Sequence, residues 1–354
     1  MRTKLLFVHN NQFGALIDSL KWCQYLDKTK YDIYYICFND GRPKTHVPGV
    51  HVTYIPRLGP KLIRGLIFYI VVISRIIFFK GFIDIIYFPG SVWLKRLLPF
   101  KKMHLDIRTL SVHSNKIVRI QQNKKLNQAI CLFNSITAIS RGVIDQLDLN
   151  EVKIKLLPLG ADTISTTNKS FKELKLLYVG TLYNRNIEQT VLGLKKFIDS
   201  SAIVNITYDI VGGDNGGGEF NKLKNVIKEN HLENIVRLHG RLSHNELTPF
   251  FNNCNIGVCY VPIVEYFNDQ PSTKLFEYVF SGMVCLATKT RANVEVANEI
   301  NSVMISDNSD SFCEGLVYVL KNSGKYNSSE IRNSLQEYSW SNIVNKYLEP
   351  IINQ

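Results

Sequence analysis

The feature that most constrains this chain is a rhythm that starts twice. Short apolar runs at 4–9, 32–38, 51–55, 84–88, 103–107 and 135–139 alternate with stretches such as 15–26 and 117–133, whose apolar residues recur three and four apart. The first kind reads as buried strands and the second as helices, and their alternation is the pattern of a parallel sheet covered on both faces. After a run at 154–157, the segment PLGADTISTTNKSFKE, rich in Ser and Thr around Pro158 and Gly160, reads as a linker. The rhythm then resumes with strands at 174–179, 206–211, 235–238, 256–259 and 284–287 and helices at 186–198, 219–229 and 272–280. The expected fold is α/β, with two doubly wound Rossmann-like domains over 1–157 and 158–338 and a C-terminal helix over 339–354 that could pack back on the N-terminal domain. Two such domains are expected to face a central cleft at the carboxyl ends of their strands, where open α/β sheets bind ligands.

Length agrees with two cores, because 354 residues exceed what one hydrophobic core usually supports. A composition of 45% hydrophobic and 20% charged residues, without repeats, excludes a disordered chain or a solenoid. Charge divides unevenly: residues 1–157 hold 24 Lys and Arg against 9 Asp and Glu, whereas the remainder holds 18 against 21. A basic N-terminal half calls for a polyanion or an anionic membrane surface as partner. No nucleic-acid motif accompanies the charge, so nucleic acid is not expected. Seven scattered cysteines without a C-x-x-C pair suit a reducing cytoplasm, and Cys254 and Cys259 read as small core residues rather than metal ligands.

The start, MRTKLLFVHNNQFG, has an apolar run only at 5–8 and reads as a first strand rather than a signal peptide. The most apolar stretch, 62–88, is broken by Arg64, Arg75, Lys80 and Asp84, and its longest uncharged piece, 65–74, is about half a bilayer crossing. Peripheral docking on the inner face of a membrane by charge and shallow apolar contact is therefore expected for this half. A buried helix is the competing reading of the same stretch.

The richest segment for chemistry is EYFNDQPSTKLFEYVFSG, 265–282. Pro271 suits the first turn of a helix, whose free amides and positive dipole end, with Lys274 one turn in, form a ready diphosphate site. Glu277, three residues on and on the same face, could accept hydrogen bonds from a ribose diol. The same spacing also occurs in ordinary solvated surface pairs. The segment KLLYVGTLYNRNIEQTVLGL reads as strand, glycine turn and helix, offering Gly180, Thr181 and Arg185. YDIVGGDNGGGEF is glycine-rich but fits no G-x-G-x-x-G register, and reads equally as a surface loop or a loop closing on a nucleotide.

PSTKLFEYVFSGMVCLAT resembles the donor-diphosphate helix of glycosyltransferase family 4, a nucleotide-sugar-dependent family with the GT-B fold. That family usually shows a Glu, seven residues, then a second Glu; here Asp269 stands first and Glu277 second. The resemblance implies that Glu277 holds the donor ribose and that Asp269, Gln270, Pro271, Ser272 and Thr273 lie along the sugar and diphosphate. KLLYVGTLYNRN resembles the family's glycine turn with its phosphate-gripping cation, here Arg185, with Lys274 as partner. LLPLGAD looks like the family's hinge motif, and VRLHGRLSHNELTPFFNNCNIGVCYVP resembles the segment that passes the base, implying a nucleobase near Gly240, Arg241 and Leu242. These matches run in family order over 156–288.

The N-terminal half matches only in outline. Gly14 turns the first strand into a helix, and Asp106 and Arg108 end a strand, where either substrate contact or a surface ion pair would suit them. His9, His104 and His113 are candidate acids or bases, His113 foremost. No D-x-D pair occurs, so no metal and no cofactor are expected, and the leaving diphosphate would rest on Arg185, Lys274 and helix amides. With Asp269, Glu277 and His113 as candidate catalytic groups, the expected activity is transfer of a sugar, with retention as the resemblance implies. The donor would be a nucleotide sugar and the acceptor a hydroxyl of a glycan or polyprenyl-linked glycan in cell-surface polysaccharide synthesis. Rival readings are a nucleotide-sugar 2-epimerase of the same fold and a two-domain ligand-binding protein without chemistry.

Overall fold

The computed structural model describes residues 2–147, 153–200, 205–214 and 216–354. The chain forms two compact units, one of residues 1–159 with 340–354 and the other of residues 160–339.

The N-terminal unit holds a fully parallel sheet of β1 (Thr3–Val8), β2 (Tyr31–Asn39), β3 (Val50–Pro56), β4 (Phe82–Ile86), β5 (His104–Ile107), β6 (Ser135–Ala138) and β7 (Ile154–Leu156), in the order β3-β2-β1-β4-β5-β6-β7. Its connections carry α1 (Ile17–Tyr25), α2 (Lys61–Phe78), α3 (Ser91–Leu97), α4 (Lys116–Ile130) and α5 (Arg141–Gln146). Gly14 makes the turn into α1 with φ 91°, and a Cβ there would lie 2.5 Å from Thr45 Oγ1, so the position requires glycine on both counts. The chain returns to this unit at Trp340, whose buried ring opens a helical stretch over 340–352 that packs on α1.

Asp106 and Arg108 do not stand at an exposed strand end, as the sequence suggested; both are enclosed in this unit. Arg108 donates to Asp18 of α1 at 2.5 Å and to the Leu157 carbonyl at 2.8 Å, and its guanidinium lies 5.2 Å from the Trp22 ring centre. Asp106 accepts from Thr137 at 2.6 Å. A charged pair of this kind is stable inside only when other elements supply its partners, here α1 and β6. Beside it, on β4, Asp84 is fully buried and neither of its oxygens has a protein partner among the described residues. Burial first and the neighbouring Asp106 second hold Asp84 well above the usual carboxylate range.

His104 lies within hydrogen-bond distance of Ser135 and Thr137, both at 2.9 Å, and burial pushes it down to about 3. His9, at the end of β1, is likewise pushed down by burial to about 4. Both are therefore neutral at pH 7.

The second unit repeats the plan with β8 (Leu174–Val179), β9 (Ile206–Val211), β10 (Val236–Leu238), β11 (Ile256–Cys259), β12 (Val284–Thr288) and β13 (Ser302–Ile305), all parallel in the order β10-β9-β8-β11-β12-β13. Its helices include α6 (Glu188–Ser200), α7 (Glu219–Glu229), α8 (Thr248–Asn253), α9 (Glu265–Asn268), α10 (Thr273–Phe280), α11 (Arg291–Val294) and α12 (Ser309–Lys321). Sequence reading missed β13, an edge strand with only Val303 to Ile305 apolar, and α12.

α10 is seated deeply. A Cβ on Gly257 of β11 would lie 2.1 Å from Cγ of Tyr278, so glycine alone lets the helix approach this closely. The Tyr278 hydroxyl accepts the Val179 amide at 2.8 Å at the end of β8. The helix ends by the Gly282 turn, with φ 72°, where the amides of Gly282 and Met283 bond to the Val279 and Tyr278 carbonyls.

Two outcomes follow from these buried groups. Tyr278→Phe leaves the Val179 N–H without an acceptor and is expected to cost about 1–3 kcal/mol in the urea unfolding of the second unit; an unchanged midpoint contradicts the seat described. Asp84→Asn is expected to stabilise the N-terminal unit by a margin that widens with pH. The folded protein keeps a proton on Asp84 that the unfolded chain releases near pH 4, so wild type loses about 1.4 kcal/mol per pH unit above that until the folded carboxyl ionises. Urea unfolding at pH 5, 6 and 7 measures the margin, and one that does not change with pH contradicts the neutral carboxyl.

Candidate functional site

The strand order of the second unit reverses between β8 and β11, and ligands of open α/β sheets bind outside the strand ends at such a point. A recess of about 260 Å³ opens there. Its walls come from the end of β8 and its turn (Tyr178, Gly180, Thr181, Arg185), from the end of β11 (Cys259, Tyr260, Val261), and from the approach to α10 (Phe267, Gln270 to Lys274).

Backbone hydrogen bonds lace the neighbouring strand ends together. The Gly180 amide donates to the Val211 carbonyl at 3.0 Å, Leu182 to Gly213 at 3.0 Å and Gly212 to Gly240 at 2.7 Å. A Cβ on Gly212 would fall 2.0 Å from the Gly180 carbonyl oxygen, so the first glycine after β9 is fixed by this contact. The later glycines differ: Gly216 and Gly218 have positive φ with open space around them, and Asp214 shapes their turn by accepting from the Gly216 and Phe220 amides. At the end of β10 the His239 ring meets Asp209 at 2.7 Å, which anchors the turn carrying Gly240, Arg241 and Leu242.

Arg185 is the centre of the recess. Its guanidinium carbon sits 4.0 Å from the Phe267 ring centre, a cation–π contact that fixes the group without neutralising it. Its Nη1 is buried, and among the described residues it has no hydrogen-bond partner and no carboxylate in an ion pair with it. Burial lowers its affinity for the proton, yet an arginine stays charged. The hydroxyl of Tyr260, another wall residue, is also buried without a hydrogen-bond partner among the described residues. A buried cation nitrogen that lacks an acceptor in a recess points to an anionic ligand.

The rest of the recess supplies further donors. α10 begins at Thr273, with Ser272 extended at its cap and making no side-chain capping bond, so the first-turn amides gain no acceptor there. Pro271 therefore precedes the helix instead of occupying its first turn as expected. The tight turn that closes α9, with the Gln270 amide on the Phe267 carbonyl, leaves Pro271 and Ser272 as an extended spacer. Lys274 is half-buried and bonds Glu277 at 2.5 Å, so the pair is partly enclosed rather than a freely solvated surface bridge. An ammonium has three donors, and one bond to Glu277 leaves two for a ligand.

Of the residues singled out by sequence, the structure gathers Gly180, Thr181, Arg185, Gln270, Pro271, Ser272, Thr273 and Lys274 on one recess. Glu277 adjoins it through Lys274, and Gly240 and Arg241 adjoin it through Gly212 and Gly213. Asp269 is not part of the wall: it is buried, and its carboxylate lies 3.6 Å from Arg291. His113 lies in the N-terminal unit, exposed ahead of α4, where its Nδ1 accepts the Asn115 amide at 3.0 Å. Sequence reasoning missed Tyr178, Tyr260 and Phe267, whose aromatic rings read as ordinary core.

Residues 173–322 match the family model described as glycosyl transferases group 1. No curated protein matches the sequence. Among solved structures, the sucrose-phosphate synthase of Thermosynechococcus elongatus is 14% identical with a TM-score of 0.78, over 99% of this chain and 98% of that one. HepE of Anabaena, solved in complex with UDP and glucose, is 12% identical with a TM-score of 0.77 over 100% of both chains. The lipopolysaccharide outer core galactosyltransferase WaaB, in its apo form, is 15% identical with a TM-score of 0.71 over 99% of both. At such identities the likeness is one of fold, and together these findings give the chain a GT-B fold whose residues 173–322 match the glycosyl transferases group 1 model.

Proposed function

We propose that this chain is a glycosyltransferase that takes a sugar from a nucleotide-sugar donor held in the recess between β8 and β11. The observation that carries the reading is the buried, unpartnered Nη1 of Arg185, aligned in one recess with Lys274 and the uncapped start of α10. Three cationic or dipolar donors converging on one point suit a diphosphate better than a single phosphate or a neutral ligand. The domain match and the UDP and UDP-glucose complexes of HepE support the same donor class.

In the proposed reaction, a hydroxyl of a glycan or polyprenyl-linked glycan bonds to the anomeric carbon as the bond from that carbon to the diphosphate breaks. Arg185, Lys274 and the α10 amides stabilise the charge that develops on the departing diphosphate, without a metal. The acceptor proton passes to the departing phosphate oxygen on the same face, so configuration is retained. Glu277, held by Lys274, takes the ribose hydroxyls. The Gly240 to Leu242 turn borders the base. The setting is cell-surface polysaccharide synthesis at the cytoplasmic face of an anionic membrane, to which the protein binds peripherally. Among the described residues no helix is long and apolar enough to cross a membrane.

Thermal unfolding with a panel of nucleotide sugars tests the donor site. At a hundredfold excess over Kd a bound donor adds about 2.7 kcal/mol of stability, and one member of the panel is expected to raise the Tm accordingly. Arg185→Ala is expected to weaken that donor at least about tenfold, the worth of a charge-assisted hydrogen bond, with Lys274→Ala and Glu277→Ala weakening it in the same direction. If no nucleotide sugar shifts the Tm, or all three variants respond like wild type, the reading is wrong. A donor that is bound and returned with altered stereochemistry, without any acceptor, would identify an isomerase instead.

A further inference from the structure

We infer that the outer face of α2, together with the end of α3, is a lipid-docking surface that lies flat in the interfacial zone of an anionic bilayer. The helix is apolar on two opposite sides. Phe68, Val72 and Ile76 are buried against the N-terminal unit, whereas Leu62, Ile63, Leu66, Ile70, Ile77 and Phe78 face outward. Leu62 is 88% exposed, Leu66 61%, Ile70 58% and Phe78 84%, so the stripe runs the full length of an 18-residue helix, about 27 Å at 1.5 Å per residue. Single exposed apolar residues mean little, but a contiguous apolar stripe marks a surface with a partner.

α3 extends the patch. It starts beside α2, where the Tyr69 hydroxyl donates to the Gly90 carbonyl at 3.2 Å, and the turn after it reaches the helix end, where Lys101 donates to the Phe79 carbonyl at 3.2 Å. Along this path Trp93 is 56% exposed, Phe100 71%, and Leu97 is exposed between them.

Charge identifies the partner. From residue 41 to residue 144 the chain has 17 Lys and Arg and only two acids, Asp84 and Asp106. Both acids are fully buried, and only Arg108 among the cations is buried with them, so this whole segment shows no exposed carboxylate. Lys61, Arg64, Arg75 and Lys80 flank or end α2, while Arg96, Lys101 and Lys102 flank the end of α3. An apolar face on a segment whose exposed charges are all cations is complementary to the acyl boundary and anionic headgroups of one leaflet. It does not suit a second copy, which would set two uncompensated positive surfaces against each other. This inference rests on the membrane setting of the proposed function and is independent of its chemistry.

The chain supplies its own probe. Of its three tryptophans, Trp22 and Trp340 are buried and Trp93 alone is exposed. Full-length protein should sediment with vesicles of phosphatidylcholine containing 30% phosphatidylglycerol as a chosen test composition, about tenfold or more better than with phosphatidylcholine alone. Its tryptophan emission should shift to the blue on binding, and Trp93→Phe should abolish that shift. Leu66→Glu with Ile70→Glu should abolish sedimentation, and Arg64→Gln with Arg75→Gln should weaken it about 30-fold, while both doubles melt like wild type because the replaced side chains are largely outside the core. Equal binding to both vesicle types, binding indifferent to both doubles, or a dimer in light scattering that the glutamates dissolve while vesicles are ignored would each overturn the inference. Donor-induced thermal shifts, read on the same preparations, fail or succeed separately.

Discussion

The second unit is organised around the seat of α10. Because position 257 has no side chain, Tyr278 enters the sheet surface at β11, and its hydroxyl takes the last amide of β8. One ring thus ties a helix to both strands that border the switch point. The consequence is positional: the start of α10, with Lys274 and the uncapped amides, is held beside the turn that carries Arg185. Without the close approach that glycine permits, the helix would stand off from the sheet and its donors would no longer converge with the guanidinium. The pocket is therefore a result of core packing and not of surface loops alone.

Arg185 shows how such a recess stores affinity. Aromatic contact with Phe267 holds the guanidinium in place without satisfying it, unlike a carboxylate, which would compete with any anionic ligand. Lys274 is held in a different way, by Glu277, which also keeps the ammonium from turning away to solvent. The N-terminal unit handles charge in the opposite manner. There Asp18, Asp106, Thr137 and Arg108 satisfy much of one another inside the fold, and the segment from residue 41 to residue 144 exposes cations but no carboxylate.

Much of this was legible in the sequence because strands and helices announce themselves by period. All seven strands of the first sheet and five of the six in the second coincide with apolar runs; β13, an edge strand that opens on Ser302, is the exception. What sequence could not show depends on partners far along the chain. Asp106 and Arg108 look like a surface pair until Asp18, ninety residues from Arg108, is seen to enclose the guanidinium. Phe267, Tyr260 and Tyr178 come from three separate segments and meet only at the switch point, so no local spacing marks them. α2 was ambiguous for a physical reason: a helix apolar on two opposite sides reads as a docking face or as a buried helix, and only the structure shows that one side faces outward. The pair Lys274 and Glu277 was visible as spacing, but its distinction from an ordinary surface bridge came from resemblance and then from its place beside the recess.

The central claim is that a nucleoside diphosphate sits between Arg185 and the start of α10, and a crystal structure of the chain with bound UDP tests it most directly. The account predicts phosphate oxygens within hydrogen-bond distance of the Arg185 guanidinium and the Lys274 ammonium, with the ribose hydroxyls on Glu277. A nucleotide bound elsewhere, with Nη1 of Arg185 still lacking an acceptor, would contradict it.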